Sequence, residues 1–543
     1  MRRYEKLLLL AVCIATFFVN NWVIVPDIME SRNLITAREM VYDGHWLIPT
    51  MNGELRLEKP PLPTWIAAVV EMVSPDDIVS QRAMAGLAAL LLVFYVWQFS
   101  KKVLQVDPLL PTLLLCTCYN VILMGRTVSW DIYCHAFMMG GIYHLTMRLR
   151  RAGPQWGQLL LAGVWMGLSL MSKGPVSLYA LLLPFLICYG YMYRPSLRGK
   201  ALPLVAMVVV ALAVGSWWYI YVYLHQAETM AYVVSKESGS WVNYNVRPWY
   251  YYWKFFLESG VWSLLLLSAL IVPAFCRECR RRKEWMLALA WTLCILVLLS
   301  CLPEKKSRYL LPILIPSAMT MAFLLERWQE RFTSGLAKAG ERVLFRVNAW
   351  LLAVAVLAVP VAIYLFAFKP GLFAGPVLLG VVSVVFVAIA LYIIYSAHVL
   401  RPRGLLYGVT AVFVAAECMV LPFMDKVINN PERHSIAATR YIEALQSLPF
   451  YYNSAYELRI ETVLHTYKKV RPLDFYDEEA VMQALPCAVL TETPLQEEMP
   501  AALLDKIDVT FVDRYDDNPR PKNQGRHASY FIHHVNILTA KNP

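Results

Sequence analysis

The sequence predicts a polytopic α-helical membrane protein with a small α/β domain at its C-terminal end, and three observations carry that reading. Apolar runs of about 20 residues, the length that crosses a bilayer, recur through the chain as far as residue 424. Hydrophobic residues make up 58% of the 543 positions and charged ones only 16%, against about 25% charged in a soluble domain. After Leu421-Pro422 the composition turns polar and stays so.

The chain opens Met1-Arg2-Arg3-Tyr4-Glu5-Lys6 and then runs apolar from Leu7 to Val25. That run is too long for a signal-peptide core and no small-residue cleavage site follows it, so it reads as a retained first span. The other candidate spans are roughly 81–99, 109–125, 132–148, 157–172, 175–193, 202–224, 257–276, 285–302, 309–326, 347–368, 375–398 and 404–424, about thirteen in all. Leu62–Val73 is also apolar, but it is too short to cross and carries Glu71. The basic loops decide this choice. With Leu62–Val73 left on the surface as an amphipathic or half-inserted helix, one side holds Lys101-Lys102, Arg148/Arg150/Arg151, Arg194/Arg198/Lys200, Arg280–Lys283, Arg327/Arg331 and Arg401/Arg403. The N-terminus shares that side, which the positive-inside rule makes cytoplasmic. Residues 26–80 and the C-terminus then lie outside.

Residues 1–424 therefore read as the membrane domain, with 26–80 its first outer loop, and 425–543 as an extracytoplasmic α/β domain. In that domain helices are expected at 431–447, with Pro431 as first helical residue after Asn430, at 455–467 and at 477–485. Strand-like runs are Phe450–Tyr452, Ala488–Leu490, Val509–Val512 and Tyr530–Val535. Eleven cysteines, mostly inside apolar runs, suggest no disulfide framework. Cys276-Arg277-Glu278-Cys279 has metal-like spacing without a second ligand pair and reads as chance, and Cys487 has no partner in its domain. The net charge of +11 is spread over short loops, which points to anionic membrane lipids as partners and not to nucleic acid.

The outer junctions gather acid and base from distant parts of the chain. Loop 26–80 carries Asp27, Glu30, Arg32, Arg38, Glu39, Asp43, Glu58 and Lys59, with Asn33–Tyr42 reading as a short helix stopped at Asp43-Gly44. Arg126 and Asp131, Lys173-Gly174-Pro175, the aromatic loop 225–255 and Glu304-Lys305-Lys306-Ser307-Arg308-Tyr309 complete the set. A charge beside hydrocarbon is costly unless it has a partner or a task. Arg38-Glu39 reads as a surface pair. Asp131 is either a helix cap or a site carboxylate, and Lys173 either snorkels to the headgroups or binds a ligand. Trp241, Trp249, Tyr250 to Tyr252 and Trp253 form either an interfacial belt or a substrate loop. Lys305 and Lys306 break the basic-inside pattern, which favours a task over anchoring.

Carboxylates there can deprotonate an acceptor hydroxyl or hold a divalent cation. Lys and Arg can bind a phosphate and stabilise it as a leaving group, Arg bidentately and Lys as a point charge. Such a set suits a phosphate-activated, lipid-borne donor. No P-loop or dinucleotide fingerprint stands in a strand–helix context, so neither ATP nor a cytosolic nucleotide donor is indicated.

One ordered series of motifs is familiar: Glu30-Ser31-Arg32, Ala37-Arg38-Glu39-Met40, Asp43-Gly44-His45-Trp46-Leu47-Ile48-Pro49, Asn52-Gly53 and Glu58-Lys59-Pro60-Pro61-Leu62. It closely resembles the first periplasmic loop of the ArnT-like and protein O-mannosyltransferase-like membrane glycosyltransferases of the GT-C class. Ser172-Lys173-Gly174-Pro175 and Lys306-Ser307-Arg308-Tyr309-Leu310-Leu311-Pro312 resemble later family motifs, and Asp131 sits where the family has another acid. The resemblance implies transfer from undecaprenyl phosphate in the bacterial inner membrane. It implies Glu30, Glu58 and Asp131 as catalytic carboxylates. Arg32, Lys59, Lys173, Lys306, Arg308 and Tyr309 would be the ligands of the donor phosphate, and any divalent cation would sit on Glu30 and Glu58. The family usually reads Asp-Glu-x-Arg, and here Met29 replaces the leading aspartate, with Asp27 two residues out of register.

The expected function is transfer of a sugar from polyprenyl phosphate to an envelope acceptor on the periplasmic face. Lipid A receiving 4-amino-4-deoxy-L-arabinose is the leading case and protein O-glycosylation the alternative. A non-catalytic relative, for which Met29 argues, and a carrier of lipid-linked sugars are the rivals. A carrier is disfavoured because no internal repeat is seen and the charges crowd one face.

Overall fold

The computed structural model describes residues 3–150, 156–275, 281–373, 375–521 and 528–541. The Cys276/Cys279 pair, Arg280 and Arg151 fall outside the described residues, as does the Trp241 side chain. The chain forms two compact units, Met1–Trp22 with Leu57–Phe423, and Val23–Arg56 with Met424–Pro543.

The first unit is helical and membrane-spanning. Among the described residues, 8 helices are long and apolar enough to cross a bilayer: those within 78–104, 201–225, 249–273, 282–301, 307–333, 339–368, 376–398 and 402–423. The remaining expected spans are helical but shorter, interrupted or more polar. The first helix is Arg3–Phe17, shorter than the apolar run. It ends because Asn20 adopts a left-handed backbone, φ 55°, and because side chains take its last carbonyls. Arg126 donates to Thr16 O at 2.8 Å and Val19 O at 2.5 Å, and Asn21 to Phe17 O at 2.8 Å. The run 109–125 is two helices, Leu109–Cys116 and Tyr119–Gly125. At the break Thr117 Oγ1 donates to Leu113 O at 2.7 Å and accepts from Trp262 Nε1 at 2.8 Å, so the hydroxyl and the indole N–H are both satisfied. Leu62–Val73 is a 12-residue helix, with Glu71 accepting from the Asp76 N–H at 3.2 Å.

The basic loops expected on one side bond to one another. Arg403 pairs with Glu5 at 3.3 Å and with Asp107, and the Asp107 N–H donates to Glu326 at 3.4 Å. Arg281 reaches Glu326 at 2.9 Å, and Arg327 and Arg331 reach Glu341 at 3.0 and 2.8 Å. Arg150 donates to Val103 O and Lys200 to Leu149 O, both at 2.8 Å. Asp131 begins the helix that Arg150 ends, Trp130–Arg150, so the two charged sets lie at opposite ends of shared helices.

The second unit is α/β. Its helix Ile28–Tyr42 begins earlier than expected because Asp27 caps it, accepting from the Met29 and Glu30 N–H groups at 2.9 Å. A short hairpin, Thr50–Met51 with Glu54–Leu55, turns on Asn52-Gly53, both with positive φ. The Asn52 amide ties this turn to Val470, donating to its carbonyl at 2.7 Å and accepting from its N–H at 2.8 Å. Five strands lie in the order Val470–Leu473, Phe450–Asn453, Cys487–Thr491, Ile532–Ala540, Ile507–Asp516. The first three are mutually parallel and the last two join antiparallel. Helices expected at 455–467 and 477–485 are Ile460–Thr466 and Glu478–Ala484. The helix expected over 431–447 is a correction. Pro431 lies in a turn, followed by a 3-10 turn Ile436–Tyr441 and one α-turn Glu443–Gln446. Tertiary contacts override the local signal: His434 exchanges backbone hydrogen bonds with Asp516, and Arg433 pairs with Asp517 at 2.7 Å.

Candidate active site

In the membrane unit, Asp131 is the second residue of Trp130–Arg150 and Lys173 the last of Trp156–Lys173. Antiparallel packing of these helices brings the two together as a buried ion pair. Glycine permits the close approach that positions Lys173. A Cβ on Gly167 would lie 2.5 Å from Val214 Cβ, and one on Gly163 would lie 2.6 Å from Met207 O, a small-residue seam of the kind that packs membrane helices. Gly174, at φ 69°, ends the helix after Lys173, and its N–H bonds Leu170 O at 2.8 Å. Asp131 thus serves an ion pair in place of the N-cap, and Lys173 turns inward instead of snorkelling.

The Lys306–Tyr309 segment closes on this pair. The Tyr309 ring centre is 5.1 Å from Lys173 Nζ, 5.6 Å from Lys306 Nζ and 5.8 Å from the Arg308 guanidinium carbon. Arg308 is also within Coulombic reach of both Asp131 and Lys173. Three expected residues from separate motifs, Asp131, Lys173 and Arg308, therefore share one locus with Tyr309 and Lys306. Lys306 pairs with Glu304 at 2.5 Å, and the Tyr309 hydroxyl donates to Glu304 at 3.4 Å. Three cations against two carboxylates leave a net positive charge, suited to an incoming phosphate.

Lys305 has a different task from the one its position suggested. Its ammonium is buried and donates to the carbonyls of Arg247 at 3.2 Å, Pro303 at 3.5 Å and Leu302. Burial holds it below the usual lysine range. The aromatic loop divides. Trp249, Tyr250 and Trp253 are exposed, whereas Tyr252 is buried and its hydroxyl accepts from the Lys306 N–H at 2.9 Å. Lys59 pairs with Glu237 at 3.1 Å, on the helix Ala227–Asn243. Glu58 Oε2 is buried without a hydrogen-bond partner, which is uncommon for a buried polar atom. Glu304 and Glu237 were missed as site residues. Glu304 heads the very run that was singled out, but nothing in the sequence pairs Glu237 with Lys59.

In the second unit, Glu30 is buried in the first turn of Ile28–Tyr42, and Arg32 is half-buried with its Nε lacking a hydrogen-bond partner. The Arg32 carbonyl accepts from Thr36 Oγ1 at 2.8 Å and from Arg56. Asp27 is committed to the cap. Arg38 and Glu39 face separate partners: Glu39 accepts from Thr50 Oγ1 at 2.5 Å and the Gly53 N–H at 3.2 Å, while Arg38 stacks 3.5 Å from the Tyr467 ring centre. Among the described residues, only Glu39, Asp43 and His45 bring three metal-ligand types together, within 4.8 Å. Glu30 and Glu58 are not in that group.

Residues 58–220 match the family model described as dolichyl-phosphate-mannose-protein mannosyltransferase, a stretch holding Glu58, Lys59, Asp131 and Lys173. The undecaprenyl phosphate-alpha-4-amino-4-deoxy-L-arabinose arabinosyl transferase 1 of Pseudomonas fluorescens is 26% identical over 321 residues, 56% of this chain and 54% of that protein. The corresponding transferase of Aeromonas hydrophila is 26% identical over 367 residues, 64% of this chain and 62% of that one. The chain thus spans about 54% to 62% of the length of these relatives. The crystal structure of ArnT from Cupriavidus metallidurans in the apo state matches with a TM-score of 0.66 and 18% identity, over 98% of this chain and 96% of that one.

The chain has an ArnT-like, GT-C fold. The same ArnT bound to undecaprenyl phosphate matches with a TM-score of 0.65 and 15% identity, over 98% of this chain and 96% of that one. The resemblance carried by the loop motifs is borne out, and the ArnT-like chain is a multi-pass membrane protein. At the departure, Met29, the two nearest carboxylates are Asp27, which caps the helix, and Glu30, which is buried in its first turn.

Proposed function

We propose that this chain transfers a sugar from a polyprenyl (undecaprenyl) phosphate carrier to an envelope acceptor. Transfer of 4-amino-4-deoxy-L-arabinose to a phosphate of lipid A is the case favoured by the names of the curated relatives. The observation that carries the proposal is the convergence of Asp131, Lys173, Arg308 and Tyr309 at one end of the membrane helices. In the proposed setting the protein lies in the bacterial inner membrane, N-terminus cytoplasmic, with residues 425–543 periplasmic.

Breaking the sugar C1–O bond leaves both electrons on the carrier phosphate, and Lys173 and Arg308 offset the charge that grows there. The acceptor oxygen supplies the pair for the new bond to C1. Asp131 orients the Lys173 ammonium and keeps it charged among hydrocarbon. An acceptor phosphate is already anionic and needs no base. A protein hydroxyl does need one, and Glu58, with its unbonded oxygen, is the carboxylate for it. That second reading is favoured by the mannosyltransferase family model over 58–220.

Mass spectrometry of lipid A and exported glycoproteins in a deletion strain, with and without the restored gene, tests the proposal. Loss of a pentosamine-sized mass from lipid A supports the leading case, and loss of a sugar from proteins supports the second. No change in either, with the gene expressed, would contradict both.

A further inference from the structure

The unit formed by Val23–Arg56 and Met424–Pro543 contains a cavity of about 270 Å³. Its walls come from the helix Ile28–Tyr42 and from the helix Ile460–Thr466 with the turn after it. We infer that this cavity binds an anionic saccharide, one sugar ring carrying a phosphate or carboxylate. Assigning that saccharide to the acceptor rests on the transfer reading above; the binding itself does not.

Size comes first. Small-molecule pockets run from about 300 to 1,000 Å³, so this cavity admits about one sugar ring. The wall chemistry suits that occupant. Tyr42 and Tyr467 meet edge to face at 6.5 Å with their hydroxyls 3.3 Å apart. The exposed Tyr42 ring offers apolar area beside the paired hydroxyls, as a sugar's CH face and hydroxyl edge require. Arg38, Lys468 and Lys469 line the same cavity against Asp43 and Glu39, a net positive wall. Lys469 gives an N–H to Asp43 at 2.8 Å and Lys468 one to the Gln446 carbonyl. An ammonium carries three donors, so both retain capacity for an anionic oxygen.

The backbone adds an independent sign. Tyr467 sits at φ 59°, at the end of Ile460–Thr466, where glycine or asparagine is usual. A bulky residue is rarely held there, and such strain collects at ligand clamps. What holds it is the ring, stacked 3.5 Å from Arg38 and 5.1 Å from Arg440. A divalent cation at Glu39, Asp43 and His45 is the weaker occupant. Glu39 is already taken by Thr50 and the Gly53 N–H, and Asp43 by Lys469.

The test is direct binding of glucosamine 6-phosphate to the full-length protein in neutral-lipid nanodiscs, with glucosamine and inorganic phosphate as comparison ligands. The phosphorylated sugar should bind at least about tenfold more tightly than either. The Lys468→Ala/Lys469→Ala double variant should lose about tenfold, and Lys506→Ala, at an exposed lysine of the same unit that pairs with Glu478 away from the cavity, should lose nothing. If the double variant fails to fold, Tyr467→Phe, which keeps the ring and removes a hydroxyl, serves for the same comparison. Equal affinity in wild type and the double variant, inorganic phosphate binding as tightly as the sugar, or the same loss in Lys506→Ala would each overturn the inference. With transfer measurable, the double variant should raise the acceptor KM and leave kcat unchanged; an unchanged KM would overturn the acceptor assignment. A wild-type protein that binds the sugar but transfers nothing would sink the transferase reading and leave this inference standing.

Discussion

At the scale of single residues, a buried charge near the membrane is explained by the group facing it. Asp131 and Lys173 neutralise each other, and removing one strands the other, a loss of about 3–5 kcal/mol. Lys173→Ala alone therefore confounds stability with chemistry. The double change Asp131→Asn/Lys173→Met should restore the thermal midpoint toward wild type while transfer stays about a hundredfold down. Recovery of transfer along with stability would reduce the pair to a structural strut. Lys305 is the contrasting case. Its ammonium answers two carbonyls of its own loop and that of Arg247 in the aromatic loop, so Lys305→Ala should cost about 1–3 kcal/mol. A thermal midpoint unchanged in detergent would show those bonds to be worth nothing. Sequence position alone made Lys305 and Lys306 equivalent; only the carbonyls of Arg247, Leu302 and Pro303 separate them.

At the scale of elements, the fit between Trp156–Lys173 and Ala201–His225 depends on Gly163, Gly167 and Gly215. Gly167→Leu would drive a side chain into Val214 and the Ala211 carbonyl, costing about 1–3 kcal/mol by overpacking. It should also lower kcat, because the same helix carries Lys173. Unchanged activity and melting would mean the helices part freely there. Much of the element plan was legible in sequence, since apolar run length is a local property. Interruptions were not, because their causes are remote: Trp262 answers Thr117 at the break in 109–125, and Arg126 answers the carbonyls of Thr16 and Val19. The strand Val470–Leu473 escaped notice because it is 4 residues long and contains Pro472. An edge strand tolerates such a proline.

At the scale of the whole molecule, the second unit carries an acid response in its own buried histidines. His465 and His533, in the second unit, are both pushed down to about 4 by burial, with Arg433, Arg440, Arg38 and Asp517 around the first and Asp516, Asp517 and His534 around the second. Unfolded histidine titrates near about 6.5. The native unit refuses protons that the unfolded chain accepts, so its stability is full above about pH 6.5 and falls as pH drops toward about 4. Cys487 is buried and is the single cysteine in 424–543. Urea titrations read by labelling of Cys487 at fixed labelling pH should show the midpoint falling over that window. A flat midpoint would mean both imidazoles are solvated. The plan of the site was legible to the extent that motifs carry it: Asp131, Lys173 and Arg308 were named from sequence and do converge. What sequence could not supply was the partner of Lys59, because Glu237 lies 178 residues along the chain and leaves no local trace.

The central claim is that the Asp131–Lys173–Arg308 cluster moves a sugar off a polyprenyl phosphate. The most direct measurement incubates purified full-length protein with an undecaprenyl phosphate-linked aminoarabinose donor and lipid A, and follows acceptor mass with time. The account predicts a pentosamine-sized gain on lipid A with wild type, and a rate about a hundredfold lower with the Asp131→Asn/Lys173→Met double variant. Equal rates from the two proteins would contradict the site, and consumption of no donor against lipid A or any protein acceptor would contradict the function.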